Sequence, residues 1–133
     1  MGNVLSRALI EIVMKSFTEC IIADRYIVYQ RDKNKAFIRG YGLTTQEQKE
    51  MLLMLTLEDY LNSEESQNFR GKFVHTMSRT FELGEPEKET VDLYVKFEIE
   101  QEENEEAVAV ISFHALEYPV RHPFGPGKED KKI

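Results

Sequence analysis

The first 60 residues alternate hydrophobic and polar positions with the period of an α-helix. Residues 3–17 are predicted to form a helix with charged residues on one side. Its apolar face comprises Val4, Leu5, Ala8, Leu9, Ile12 and Val13. We expect this face to pack on a core or to contact a partner.

Two more helices follow, each with its own start signal. Asp32 can cap a helix at about 33–40 that ends at Gly40 or Gly42. Thr44 and Glu47 form a T-x-x-E capping box, which predicts a helix running through residue 55. The segment 56–59 resembles a second start and adds one turn.

The second half of the chain changes to the period of two that is typical of strands. Residues 91–100 alternate cleanly, and residues 107–114 form another strand beyond a polar tip at 101–106. The other segments are a β-rich stretch at 26–29, a loop at 62–68, a strand at 73–83 and an extended tail from 118.

The last two strands are predicted to pair as an antiparallel hairpin. A register in which paired residue numbers sum to 208 keeps apolar side chains on one face. It pairs Val95, Phe97 and Ile99 with Phe113, Ile111 and Ala109. On the opposite face it brings together four polar side chains, Tyr94, Lys96, Ser112 and His114.

Length and composition indicate a single folded domain. The chain has 133 residues, 41% of them hydrophobic, and no apolar run of the roughly 18–20 residues that a membrane span needs. Cys20 is the single cysteine, so an internal disulfide is excluded and a reducing, cytoplasmic location is expected.

The net charge of −7 argues against a nonspecific nucleic-acid binder, but the charge is unevenly distributed. Residues 82–106 hold eleven acids and two bases, which leaves the rest of the chain slightly basic. Two basic runs stand out, one at 25–39 and one at 70–79. The candidates for RNA contacts are Arg121 and six side chains of these runs: Arg31, Lys33, Lys35, Arg39, Arg70 and Lys72. The alternative for the run from Arg31 to Arg39 is a solvated helix face or a partner surface, and the alternative for Arg121 is a solvated tail.

The four polar side chains of the hairpin fit the needs of RNA cleavage without a metal. A 2′-OH must lose a proton, the phosphate must be stabilised and the leaving oxygen must gain a proton. His114 can act as acid or base, Lys96 offers a positive charge, and Tyr94 can bind the phosphate or stack on a base. The alternative is that they form an ordinary solvated sheet surface.

Several segments resemble the MqsR (motility quorum-sensing regulator) family of toxins in order and spacing. These are YGLT at 41–44, MLLMLTLEDY at 51–60, LYVKF at 93–97 and VISFH at 110–114, continued by ALEYP at 115–119. The similarity covers roughly residues 26–124.

The resemblance implies an α+β, RelE-like fold, with N-terminal helices packed on one face of a twisted antiparallel sheet. It implies a single domain with an extra helix at 1–17, a core at 20–117 and a tail at 118–133. It also implies an mRNA interferase, an endoribonuclease that cuts mRNA without a metal or other cofactor and is neutralised by an antitoxin protein. Tyr94 and His114 match family site positions, and Arg79 is the nearest match on the preceding strand.

A non-catalytic, protein-binding relative remains the alternative. Two features favour this alternative. Leu61 stands where the family signature has a lysine or a similar group, and the net charge of the chain is negative. A metal site formed by His75, His114, His122 and Glu117 is not expected, because these residues lack the usual metal-ligand spacing.

Overall fold

The computed structural model describes residues 2–67 and 71–125, and they form an α+β fold with the helices at the N-terminal end. The fold class predicted from the sequence is therefore confirmed. In chain order the elements are α1 (Arg7–Ile22), β1 (Tyr26–Val28), α2 (Asp32–Tyr41), α3 (Thr45–Leu53), a 3₁₀ turn (Leu57–Asp59), β2 (Tyr60–Glu65), β3 (Phe73–Leu83), β4 (Glu89–Glu102) and β5 (Glu105–Ala115).

The five strands form one mixed sheet in the order β1-β5-β4-β3-β2. The pairs from β2 to β5 are antiparallel, as expected, whereas β1 runs parallel to β5. Helices α1 and α2 pack on one face, where Phe17 lies 4.4 Å from Phe97 and Phe37 lies 5.9 Å from Phe113, measured between ring centroids. These helices do not cover the other face, which carries Tyr94 and its neighbours.

Helix α1 buries a different face from the one that the sequence pattern predicted. The side chains that enter the core are Ile10, Met14, Phe17, Cys20 and Ile21. Leu9 and Ile12, on the face expected to pack on a core or to contact a partner, are 42% and 64% exposed. The helix runs five residues beyond the predicted end at 17. Two of the buried side chains, Cys20 and Ile21, lie in this extension, so the longer helix continues the core-facing stripe.

The capping box at Thr44 is confirmed, but the predicted cap at Asp32 is wrong. Helix α2 begins at Asp32 itself, and no side chain caps its N-terminus at Arg31. The Thr44 side chain accepts a hydrogen bond from the Glu47 amide at 3.0 Å, and the Glu47 carboxylate accepts one from the Thr44 amide at 2.8 Å. Helix α2 ends at Gly42, whose φ of 62° is the left-handed conformation that glycine adopts readily. The second start at 56–59 forms the 3₁₀ turn, in which Asp59 accepts from the Thr56 amide.

The loop predicted at 62–68 is wrong over residues 62–65, because residues 60–65 form strand β2. Residue 68 lies outside the described residues. Its polar residues have weak strand propensity, but pairing with β3 provides partners for them. Ser63 is buried and its hydroxyl lies 2.7 Å from Nδ1 of His75. The tertiary contacts therefore override the local sequence signal.

The predicted hairpin register is correct at the polar side chains and shifts beyond them. Tyr94 pairs with His114 and Lys96 with Ser112, as predicted. Ile111 then forms a bulge, so the partner of Phe97 is Val110 rather than Ile111, and that of Ile99 is Val108 rather than Ala109. A bulge inserts one unpaired residue into a strand, and an alternation rule cannot anticipate it.

The tail is packed as far as the structure describes it. His122 donates from Nε2 to the Ser78 carbonyl at 2.9 Å, and Phe124 stacks on Tyr60 with ring centroids 5.5 Å apart. Residues 126–133 of the predicted tail lie outside the described residues. Among the helices of the described segments, none is long and apolar enough to cross a membrane.

Candidate active site

A polar cleft of about 420 Å³ lies on the sheet face that the helices leave uncovered. The structure brings the four predicted side chains together there and adds the start of α2 and one residue after β5. The lining residues are Arg31, Asp32, Lys33, Asn34, Tyr94, Lys96, Ser112, His114 and Glu117. Two of the predicted RNA contacts, Arg31 and Lys33, thus lie beside the predicted catalytic groups.

Tyr94 and His114 form the centre of the cleft on adjacent strands. Their ring centroids are 5.5 Å apart, and both side chains are partly exposed. Nδ1 of His114 lies 2.9 Å from the Ala115 carbonyl. A carbonyl only accepts, so Nδ1 carries the proton and Nε2 of the neutral ring holds a free lone pair. That lone pair is what a general base needs.

The Tyr94 hydroxyl is held in its protonated form. Burial is the main cause that raises the pKa of this phenol, and the nearby Tyr118, Glu64 and Glu117 raise it further. A neutral phenol donates a hydrogen bond, and phosphate oxygens accept one. Tyr94 is therefore suited to bind a phosphate rather than to take up a proton.

Asn34 fastens the start of α2 beside the cleft. Its side chain is buried, and Nδ2 donates to the carbonyls of Tyr29 and Ile111, each at 3.0 Å. Its Oδ1 accepts from the Phe113 amide at 2.8 Å. Asn34 thus continues the hydrogen bonding along the outer edge of β5 where β1 ends. It also satisfies the backbone around the Ile111 bulge.

A carboxylate already occupies part of the cleft. Lys33 Nζ lies 2.7 and 3.0 Å from the two carboxylate oxygens of Glu117. This hydrogen bond is the main cause that lowers the pKa of Glu117, and His114 also contributes. The pair shows that an anion at this position can bind Lys33.

The neighbouring part of the open face is acidic. A second cavity of about 290 Å³ shares Arg31 and Lys96 with the cleft, and Glu64, Glu65 and Glu98 also line it. The cleft has three bases, Arg31, Lys33 and Lys96, against the two carboxylates of Asp32 and Glu117. The neighbouring cavity has two bases against three glutamates, so an anionic ligand is favoured in the cleft over its neighbour.

Arg79 lies on the opposite face of the sheet from Tyr94 and His114. It pairs with Leu93 in the core-facing row, and its guanidinium is 3.4 Å from the Asp59 carboxylate. Burial raises the pKa of Asp59, although Thr56 and Arg79 counteract this effect. Both side chains line a separate cavity of about 770 Å³, together with Arg121. The structure therefore separates Arg79 and Arg121 from the cleft.

The remaining predicted RNA contacts are also dispersed. On α2, Lys35 is half-buried and Arg39 is exposed, and neither lines the cleft. Lys72 lines a groove beside α1. Arg70 lies outside the described residues.

His75 lies in the core, whereas His114 lines the cleft and His122 lines the separate cavity beside Arg79. His75 is buried against Phe97, and burial lowers its pKa to about 4. Within residues 2–67 and 71–125, the structure contains no cluster of three or more His, Cys, Asp or Glu side chains arranged to hold a metal ion.

Sequence reasoning missed three residues of the cleft, Asp32, Asn34 and Glu117. An asparagine just inside a helix start is ordinary, so the role of Asn34 depends on where β1 ends. Glu117 follows the last strand, and only the fold places it opposite Lys33.

Searches of family models, curated proteins and solved structures return no match to this chain.

Proposed function

We propose that the protein is an MqsR-like toxin of a toxin–antitoxin system, an endoribonuclease that cleaves mRNA without a metal ion. The observation that supports this most is the grouping of His114, Tyr94 and Lys96 in one open cleft. These groups supply a base, a neutral hydrogen-bond donor and a positive charge.

The reaction is a transfer of the phosphate within the RNA strand. Nε2 of His114 takes the proton of the 2′-OH, whose oxygen attacks the adjacent phosphorus. The bond from phosphorus to the 5′-oxygen breaks, and this oxygen takes a proton from solvent water, which reaches the open cleft. The protonated His114 then gives its proton to the hydroxide that remains, which restores the free base. The products are a 2′,3′-cyclic phosphate and a 5′-OH end.

Lys96, Arg31 and Lys33 contribute positive charge where the pentavalent phosphate gains negative charge. Tyr94 donates a hydrogen bond to a phosphate oxygen. Glu117 must release Lys33 when the substrate phosphate enters, because both compete for the same ammonium group.

Expression of the chain in bacteria without a partner protein tests this proposal. We expect growth arrest with loss of mRNA, and we expect His114→Ala and Tyr94→Phe each to restore growth. The matched control is His122→Ala, which changes a histidine outside the cleft. Harmless expression of the folded wild-type chain, with intact mRNA, would contradict the enzyme.

A non-catalytic binding module is the second candidate, and two observations favour it. Leu61 is buried where the family signature has a polar residue, so it provides no group for a site. The carboxylates of the neighbouring cavity also restrict the path of an RNA strand. Under this alternative the expression experiment gives normal growth.

A further inference from the structure

Helix α1 and the β4–β5 hairpin border a groove that the proposed nuclease function does not use. We call it the α1 groove; its volume is about 240 Å³. The apolar side chains that line it are Leu5, Leu9, Ile12, Val13, Phe73 and Ile99.

The helix presents large apolar side chains to solvent along this groove. Ile12 is 64% exposed and Leu9 is 42% exposed, and Val4, just before the helix, is 55% exposed. Adjacent exposed apolar residues of this size mark interaction surfaces more often than isolated ones do. Leu9 and Val13 are four residues apart, as are Ile12 and Ser16, which is the spacing of ridges on a helix surface.

Carboxylates flank the same groove. Glu100 and Glu106 line it together with one base, Lys72, and residues 98–106 hold six glutamates and no base. Among the residues that the structure describes, the salt bridges join other side chains and leave these glutamates without an ionic partner. Burial raises the pKa of Glu100, and Glu98 and Glu102 raise it further, so a nearby cation would stabilise its charged form.

We propose that the α1 groove binds a basic amphipathic helix of a partner protein. The apolar face of that helix packs on Leu9 and Ile12, and its Lys or Arg side chains face Glu100 and Glu106. A helix fits because α1 has no free backbone edge and offers only ridges of side chains. A second copy of this chain would bring glutamates against glutamates, and nucleic acid or an anionic membrane would be repelled.

Fluorescence anisotropy of a labelled peptide tests the proposal without reference to nuclease activity. The probe is a helix of about 18 residues, built from leucine and lysine at helical spacing. We expect micromolar binding, weakened about tenfold or more by Ile12→Glu and severalfold by Glu106→Lys.

Matched controls distinguish the groove from general attraction to an acidic protein. Ile22→Glu changes an equally exposed isoleucine near the end of the same helix, and Glu87→Lys changes an exposed glutamate in the β3–β4 turn. We expect each control to bind the probe within about twofold of the wild type. A scrambled peptide of equal composition should bind more weakly than the probe.

Three results would overturn the proposal. The first is no binding of the probe to the folded wild-type protein. The second is an equal loss of binding in the groove variants and their controls, which indicates nonspecific charge attraction. The third is a concentration-dependent dimer, measured by sedimentation, that Ile12→Glu abolishes, which assigns the groove to a second copy of this chain.

Discussion

At the scale of single residues, the side chains that carry the proposed chemistry differ from those that only hold the fold. His114 is partly exposed in an open cleft, whereas His75 is buried and hydrogen-bonded to Ser63. The hairpin register and the family resemblance single out His114 in the sequence, but they give no sign that His75 is buried. Burial, which depends on the fold, gives them different roles.

His75 predicts a loss of stability in acid. Its pKa is about 4 in the folded state and about 6.5 when unfolded, so the unfolded chain binds more protons between these values. The contribution of His75 to stability is complete above pH 6.5. This contribution to the free energy of unfolding, about 3 kcal/mol, is lost as the pH falls to 4.

Urea unfolding of the wild type and His75→Gln at pH 7 and pH 4.5 measures this effect. We expect the variant to lose less unfolding free energy than the wild type between the two pH values. The difference should be absent for His122→Gln. Equal acid sensitivity of wild type and His75→Gln would show that His75 is not the group responsible.

Glu117 offers a second prediction for a single residue. Glu117→Gln removes the carboxylate that pairs with Lys33, so the ammonium becomes available to a phosphate. We expect severalfold tighter binding of a 2′-O-methyl RNA oligonucleotide, measured by fluorescence anisotropy. Glu87→Gln removes the same charge far from the cleft and should have less effect. Weaker or unchanged binding in Glu117→Gln would exclude this competition.

At the scale of elements, the sequence correctly predicts the features that depend on local signals. The capping box at Thr44, the strand at 91–100 and the pairing of Tyr94 with His114 depend on nearest neighbours and alternation, and all are confirmed. Strand β2, the buried face of α1 and the Ile111 bulge depend on distant contacts. Those three features could not be read from local patterns.

The attachment of α2 through Asn34 is an element-scale property with a measurable effect. Asn34→Leu leaves the Phe113 amide and two carbonyls without their partner in a buried place. We expect a loss of about 3 kcal/mol in unfolding free energy, because each unsatisfied buried group costs about 1–3 kcal/mol. We also expect weaker RNA binding, since Arg31 and Lys33 lose their position.

Thermal and urea unfolding of Asn34→Leu test this prediction against Arg39→Ala, a change at an exposed position of α2. The control should stay within about 0.5 kcal/mol of the wild type. If Asn34→Leu were equally stable, the hydrogen bonds of Asn34 would not hold the helix.

At the scale of the whole molecule, the two faces of the sheet have different tasks. One face carries the helices and the core. The other carries the cleft, in which bases outnumber acids, and the neighbouring cavity, in which acids outnumber bases. A net charge of −7 is compatible with RNA binding on this view, because the local field at the cleft decides where a phosphate binds.

The most direct test of the central claim is cleavage of single-stranded RNA by the purified protein in excess EDTA. The wild type should release fragments that end in 2′,3′-cyclic phosphate. His114→Ala should lower the rate by about 10²-fold or more, while His122→Ala should cleave at nearly the wild-type rate. No cleavage by the folded wild type, or an equal rate for the wild type and His114→Ala, would contradict the claim.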